Sequence, residues 1–261
     1  MKHHEETIER LVDAESVKPG SLAVIVTGSV GRGTERRDSD VDVYLVVEES
    51  VFGIASATNS TSYADTSHAR YEGGYVDVKL ITIATLEAAS ASGDDPVRAS
   101  LEHSRIAWSR VDRLERLLES IPRRSDDAWS NRLHSQLAQA HLHGRYFLRQ
   151  AEDHDDPFLL HHAATHLATA CGRAVLIAHR RLHQGPKYLV STLRSIPSLP
   201  ATFVPTVMSL LDAPTQARAD ALIAATERIC GPLPQPNDAL ATFVTDNELA
   251  WLTRVPPPEY S

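Results

Sequence analysis

The chain has 261 residues, 42% of them apolar and 23% charged, which is the make-up of an ordinary folded protein long enough for two modest domains. Its formal charge of −8 (26 Lys and Arg against 34 Asp and Glu) argues against a duplex DNA or RNA partner, because phosphate backbones are held by clustered cations. No apolar run reaches membrane-spanning length, the first residues carry acids and histidines where a secretory leader needs an apolar core, and Cys171 and Cys230 lack metal or redox spacing; the reading is a cytoplasmic protein with buried thiols and no membrane partner.

Residues 4–15 place Ile8, Leu11 and Val12 at helical spacing, and Lys18-Pro19-Gly20 stops that helix. Leu22 to Val26 is a continuous apolar run bounded by glycines, the signature of a strand covered on both faces. Gly28 to Ser39 is the polar connection out of it. A second strand over Val41–Val47 alternates Val41, Val43 and Leu45 with Asp42 and Tyr44. Residues 53–70, rich in Ser, Thr, Ala and Asn without a period, read as a loop holding a poorly signalled strand. Gly73-Gly74 turns the chain into a third strand, Tyr75 to Ile83. Residues 84–92, 96–103 and 111–121 read as helices, and Ile106-Ala107-Trp108 as a short edge strand.

After Pro122 the texture changes to Ala, Leu, His and Arg at helical spacing. Ser125 or Asp126 caps a long helix to about Asp153, and Asp155-Asp156-Pro157 restarts the next, to about Arg181. Shorter helices follow at 187–195, 202–211 and 215–229. The stretch 231–236, GPLPQP, is a stiff linker to a last helix near 238–253, and PPPEYS is a frayed tail. The expected organisation is α+β: a mixed sheet flanked by helices over 1–122, then an all-helical bundle over 123–261, with the active site in the cleft between them, where such sites form.

The segment that carries chemistry is GSVGRGTERRDSDVDV, Gly28 to Val43. The period of two puts Asp40 and Asp42 on one face of a strand while Val41 and Val43 enter the core. Two like charges so close are costly without a cation, and a hard ion such as Mg²⁺ suits carboxylates that share it with phosphates. Asp77, on another strand, supplies a third acid, with Lys79 on the same face. Three such acids suit a two-metal site, in which ions roughly 3.5–4 Å apart serve the attacking and leaving oxygens of an in-line displacement. Gly28-Ser29 offers the close backbone approach and the hydroxyl that a triphosphate needs. Arg32 either binds that triphosphate or pairs with Glu35 or Asp38. The glycine spacing is neither that of a Walker loop nor that of a dinucleotide fingerprint.

Apolar strand, Gly-Ser, Asp-x-Asp in a second strand and a further Asp on a later one: this pattern resembles the DNA polymerase β-like nucleotidyltransferase superfamily. Gly28, Ser29, Arg32, Gly33, Ser39, Asp40 and Asp42 are most similar to the minimal and antibiotic nucleotidyltransferases. The resemblance implies a magnesium enzyme with two ions on Asp40, Asp42 and Asp77, and attack of an acceptor hydroxyl on the α-phosphorus of an NTP with release of pyrophosphate. It implies ATP as donor. The helical half resembles, more loosely, the appended domain of a bacterial family of such enzymes, through Gly172-Arg173 and Gly185-Pro186-Lys187-Tyr188-Leu189. By that similarity Lys187 joins Gly28, Ser29 and Arg32 in binding the nucleotide. Some members pair two chains so that one helical domain completes the other's cleft, which admits a homodimer.

The size of the helical half favours a small-molecule acceptor such as an antibiotic or natural product. An antitoxin-like enzyme that modifies a partner protein is the alternative, and a non-catalytic nucleotide-binding module is a third. The general base stays open between residues such as His162 and Glu102. Most of the thirteen histidines read as surface or satisfied core residues.

Overall fold

Four consecutive residues of the first apolar run, Ala23 to Val26, have no solvent exposure at all, so that strand must be covered on both faces. This layering organises the N-terminal part of the computed structural model, which describes residues 1–258. The chain divides into two compact units, Met1–Arg123 and the residues from Arg124 on.

In the first unit, helix α1 (Lys2–Ser16) leads into strand β1 (Ser21–Val26) and a single turn, α2 (Gly28–Gly31). Strand β2 (Val41–Val47), helix α3 (Glu49–Ala57), strands β3 (Ser62–Asp65) and β4 (Val76–Ile81), helices α4 (Ile83–Ser92) and α5 (Asp95–Glu102), strand β5 (Arg105–Ser109) and helix α6 (Leu114–Ser120) follow. The five strands form one mixed sheet in the order β3-β4-β2-β1-β5. Only the β2–β4 pair is parallel; β1–β2, β1–β5 and β3–β4 are antiparallel.

Alternation along the strands sorts the side chains to two cores. Val41, Val43, Val76 and Val78 pack with Ile8 and Leu11 of α1. Val46 and Ile81 face the other way, onto Leu86, Leu101, Leu114 and Leu118 of α4–α6. The buried side chain of Arg98 ties these helices together, donating to the carbonyls of Ser90, Gly93, Ile121 and Arg123. That network satisfies carbonyls at helix ends that would otherwise be stranded.

Residues 53–70 differ from the expected loop. Residues 49–57 are helix α3 and residues 62–65 are edge strand β3. Only Ala55 of α3 is buried, so the helix has no apolar stripe to betray it, and Val51 and Phe52 anchor it partly to the α1-side core.

The second unit is helical. Ser125 caps α7 (Asp126–His141), accepting from the Ala128 amide at 3.2 Å. The expected long helix runs on through a π-helical segment, Leu142–Phe147, into α8 (Leu148–Asp153). Asp156 caps the central α9 (Pro157–Ala178), with Pro157 in its first turn. Helices α10 (Leu189–Arg194), α11 (Phe203–Asp212), α12 (Gln216–Cys230), α13 (Pro236–Phe243) and α14 (Ala250–Thr253) complete the unit, and α7, α8, α10, α11 and α12 all pack against α9. The tail read as frayed is held at Pro258, whose carbonyl accepts from the buried Arg173; Glu259, Tyr260 and Ser261 lie outside the described residues. Among the described residues no helix is long and apolar enough to cross a membrane.

Candidate active site

The parallel register of β2 and β4 sets Asp42 directly opposite Asp77 and Tyr44 opposite Lys79. With Val41, Val43, Val76 and Val78 taken by the α1-side core, both acids stand on the other face of the sheet, at the starts of their strands. Asp40 comes one residue before β2. All three acids are partly exposed.

The charges interact as closeness requires. Burial raises the Asp42 carboxyl above the ordinary aspartate range; Asp40 and Asp77 push it the same way, against the opposing pull of Lys79 and Arg32. Lys79 donates to Asp77 Oδ2 at 2.7 Å. Burial works against the lysine's charge, but the Asp77 hydrogen bond and the charges of Asp77 and Asp42 outweigh it and raise its pKa. Tyr75 donates to Asp40 Oδ2 at 2.8 Å, and that bond, with the Asp40 charge behind it, keeps the phenol protonated above its usual range.

Gly28 is shaped around Asp42. Its φ is +61°, and a Cβ built on it would sit 1.8 Å from Asp42 Oδ2 and 2.6 Å from Cγ. Any side chain here would occupy the space of that carboxylate. Ser29 follows in the first turn of α2, and its carbonyl accepts from the Thr34 amide at 2.9 Å, closing the loop on itself. Of the two acids considered as partners for Arg32, Asp38 pairs with Arg36 at 3.3 Å and Glu35 with the N-terminal ammonium. The Arg32 charge reaches Asp42 through space, a pull downward within the net rise of that carboxyl.

Sequence reasoning missed the groups that hold the segment leading into Asp40. His3 Nε2 lies 3.0 Å from the Arg37 carbonyl, His4 Nε2 lies 3.0 Å from the Ser39 carbonyl, and Tyr71 donates to that same carbonyl at 2.6 Å. These partners are 32 to 35 positions apart in sequence, so no local pattern announces them.

Residues 5–106 match the family model described as a nucleotidyltransferase domain. The first unit holds a nucleotidyltransferase domain. Among solved structures, the chain is similar to a nucleotidyltransferase-like protein from Exiguobacterium sibiricum, with 11% identity and a TM-score of 0.46 over 96% of this chain and 79% of that one. It is also similar to the spectinomycin adenyltransferase AAD(9) from Enterococcus faecialis, solved with ATP and spectinomycin, with 12% identity and a TM-score of 0.33 over 93% and 96% of the two chains. No curated protein matches.

The donor set of the nucleotidyltransferase domain fits a divalent cation chemically: three carboxylates, hard oxygen ligands, with one of them raised in pKa beside the other two. Among the described residues, however, no three His, Cys, Asp or Glu side chains are arranged around one point as metal ligands. Asp77 is held by Lys79 and Asp40 by Tyr75, each through Oδ2.

Lys187, His162 and the helical residues belong to the second unit. Lys187 is exposed on a 3₁₀ turn, Pro186–Tyr188, with Nζ 5.4 Å from the centre of the Tyr188 ring. His162 packs against His166 at 4.2 Å and against Phe158 at 6.1 Å between ring centres. Glu102, at the end of α5, lies 3.9 Å from His103 and lines a groove with β5 and α6.

Proposed function

We propose that the protein transfers AMP from ATP to a hydroxyl of a small-molecule acceptor such as an antibiotic or natural product, with release of pyrophosphate, in a magnesium-dependent reaction. Nucleotidyl transfer follows from the domain itself. The observation that carries the metal reading is the in-register pair Asp42 and Asp77, with Asp40 one residue before the same strand and the missing Gly28 side chain leaving room for the Asp42 carboxylate.

In this reading Asp40, Asp42 and Asp77 hold two Mg²⁺ ions. When bound, the ions supply charge stabilisation to the phosphates and acidify the attacking hydroxyl. The chain's own part is positioning, on which phosphoryl-type transfer chiefly rests. Gly28 and Ser29 hold the triphosphate against the acids through backbone amides and a hydroxyl, and Arg32, already felt by Asp42, adds positive charge to the same place. Lys79 neutralises Asp77 and would compete there with a bound cation. The acceptor class is favoured by the helical unit, a second core of its own large enough to carry specificity.

The test is incubation of the purified chain with α-labelled ATP and Mg²⁺ against aminoglycosides, lincosamides and nucleosides, and separately against cell lysate. The proposal expects label on a small molecule, lost in Asp42→Asn. Label on a lysate protein replaces the acceptor class, and transfer that survives in Asp42→Asn refutes the metal assignment.

A further inference from the structure

Asp40 differs from the other two acids in how it is held. It lies outside the sheet ladder, one residue before β2 begins, so strand hydrogen bonding alone does not fix its side chain. Its carboxylate is met by the hydroxyl of Tyr75, 2.8 Å from Oδ2, and Tyr75 stands immediately before β4 as Asp40 stands before β2. The backbone links the same two positions, since the Val41 amide donates to the Tyr75 carbonyl at 3.1 Å. The two strand entrances are therefore joined twice, once by main chain and once by side chain.

A second tyrosine steadies the residue behind. Tyr71 donates to the Ser39 carbonyl, which also meets His4. The rings of His3, His4 and Tyr71 pack together with centres 4.1 to 5.0 Å apart. The turn at 73–74 makes this possible. A Cβ on Gly74 would fall 2.5 to 2.7 Å from three carbons of the Tyr71 ring, so the ring lies flat on backbone that only glycine leaves bare. One short loop, 71–75, thus delivers two phenols to consecutive residues, 39 and 40.

We propose that Tyr75 is a positioning residue for the metal site: its hydroxyl occupies Oδ2 of Asp40 and so presents Oδ1 to the cation, with Tyr71 and His4 fixing the backbone from which Asp40 projects. The proposal rests on the reading of Asp40 as a cation ligand. A flexible carboxylate loses rotamer freedom when it takes an ion; a carboxylate already oriented by a neutral donor has lost it beforehand. Tyr75 is well suited to that task because a phenol donates without cancelling the carboxylate's charge, as the Lys79 ammonium does at Asp77.

The experiment is calorimetric titration of the full-length chain with Mn²⁺ alone, together with thermal melting of the metal-free protein, for wild type, Tyr75→Phe, Asp40→Asn and the double variant. Loss of a hydrogen bond to a metal ligand weakens metal affinity by about tenfold or more. Tyr75→Phe is therefore expected to bind Mn²⁺ about tenfold more weakly with an unchanged melting temperature, and to add nothing in the Asp40→Asn background. Tyr71→Phe is expected to act in the same direction and more weakly. A merely structural tyrosine would move the melting temperature and leave affinity alone, and that result overturns the proposal. Equal or tighter binding by Tyr75→Phe overturns it as well, with the metal site itself intact. Absence of Mn²⁺ binding by the wild type overturns the cation reading of the three acids and this proposal together.

Discussion

Replacing Gly28 by alanine separates the geometry of the site from the stability of the fold. Two costs attach to the substitution. The first is conformational, because φ at Gly28 is +61° and an L-residue in the left-handed region loses about 1–2 kcal/mol. For a unit of this size that corresponds to a fall in melting temperature of roughly 4–8 °C. The second cost is steric. The new Cβ would stand 1.8 Å from Asp42 Oδ2, so the carboxylate must retreat by more than about 1 Å to reach even a tight contact, and a misplacement of that size costs about 10²-fold in rate. Gly33 provides the control: its φ is +67°, but nothing lies within 4 Å of a Cβ built there. Gly33→Ala should therefore show the same conformational loss of melting temperature and leave the proposed Mn²⁺ binding and AMP transfer at wild-type levels. Gly28→Ala should lose at least tenfold in Mn²⁺ affinity by calorimetry and about 10²-fold in transfer of label from ATP. If the two alanine variants bind Mn²⁺ equally well, Gly28 is not shaped around a working carboxylate and the reasoning fails.

Lys79→Gln removes the ammonium from Asp77 and should tighten Mn²⁺ binding while lowering the metal-free stability by no more than about 1 kcal/mol, since the ion pair is half exposed; weaker Mn²⁺ binding would mean that Lys79 assists the cation instead of competing with it. Burial lifts both thiols, Cys171 and Cys230, to about 12, so neither should react appreciably with a disulfide reagent near pH 8 in the native chain, and both should react after unfolding in guanidinium. Rapid native labelling of the buried Cys171 or of the partly buried Cys230 would contradict those raised values. His141 is held neutral by burial and by Arg145, against the Pro234 carbonyl that favours its charged form. The unfolded chain therefore takes up this proton first, so His141 costs no stability above the ordinary value of 6.5 and removes stability progressively as pH falls below it. Urea midpoints compared near pH 7.5 and pH 5.5 should fall more for wild type than for His141→Gln, and equal falls would show that His141 does not resist protonation.

The parts of the site that could be read from the sequence are those that the strand period governs. Val41, Val43, Val76 and Val78 demand burial, so Asp42 and Asp77 had to share the opposite face, and the apolar pattern fixes this without any knowledge of contacts. Gly28 was legible as a point of close approach, though not that the approach is to Asp42. Helix α3 was illegible because ESVFGIASA buries one residue, and β3 because its exposed Ser-Tyr-Ala-Asp is a strand only through its pairing with β4. The π-helical segment after α7 lies inside one continuous helical run with no side-chain cap to mark it. His3, His4, Tyr71 and Tyr75 act through partners far away in sequence, which no single-chain pattern encodes.

The parallel ladder of β2 and β4 also says where this protein tolerates change. The connection from Val47 re-enters the sheet at Val76, opposite Val41, so residues inserted at the exposed turn after Asp65, ahead of the 71–75 loop that holds residues 39 and 40, lengthen a detour without moving Asp42 or Asp77. A single residue deleted within β4 ahead of Asp77 would instead hand its carboxylate to the buried side of the sheet and bring a valine out in its place. Length is cheap in the loop and forbidden in the strand. Grafted peptides or affinity tags belong at that turn, and a library that varies it would alter the periphery of the site while the charge geometry is inherited intact.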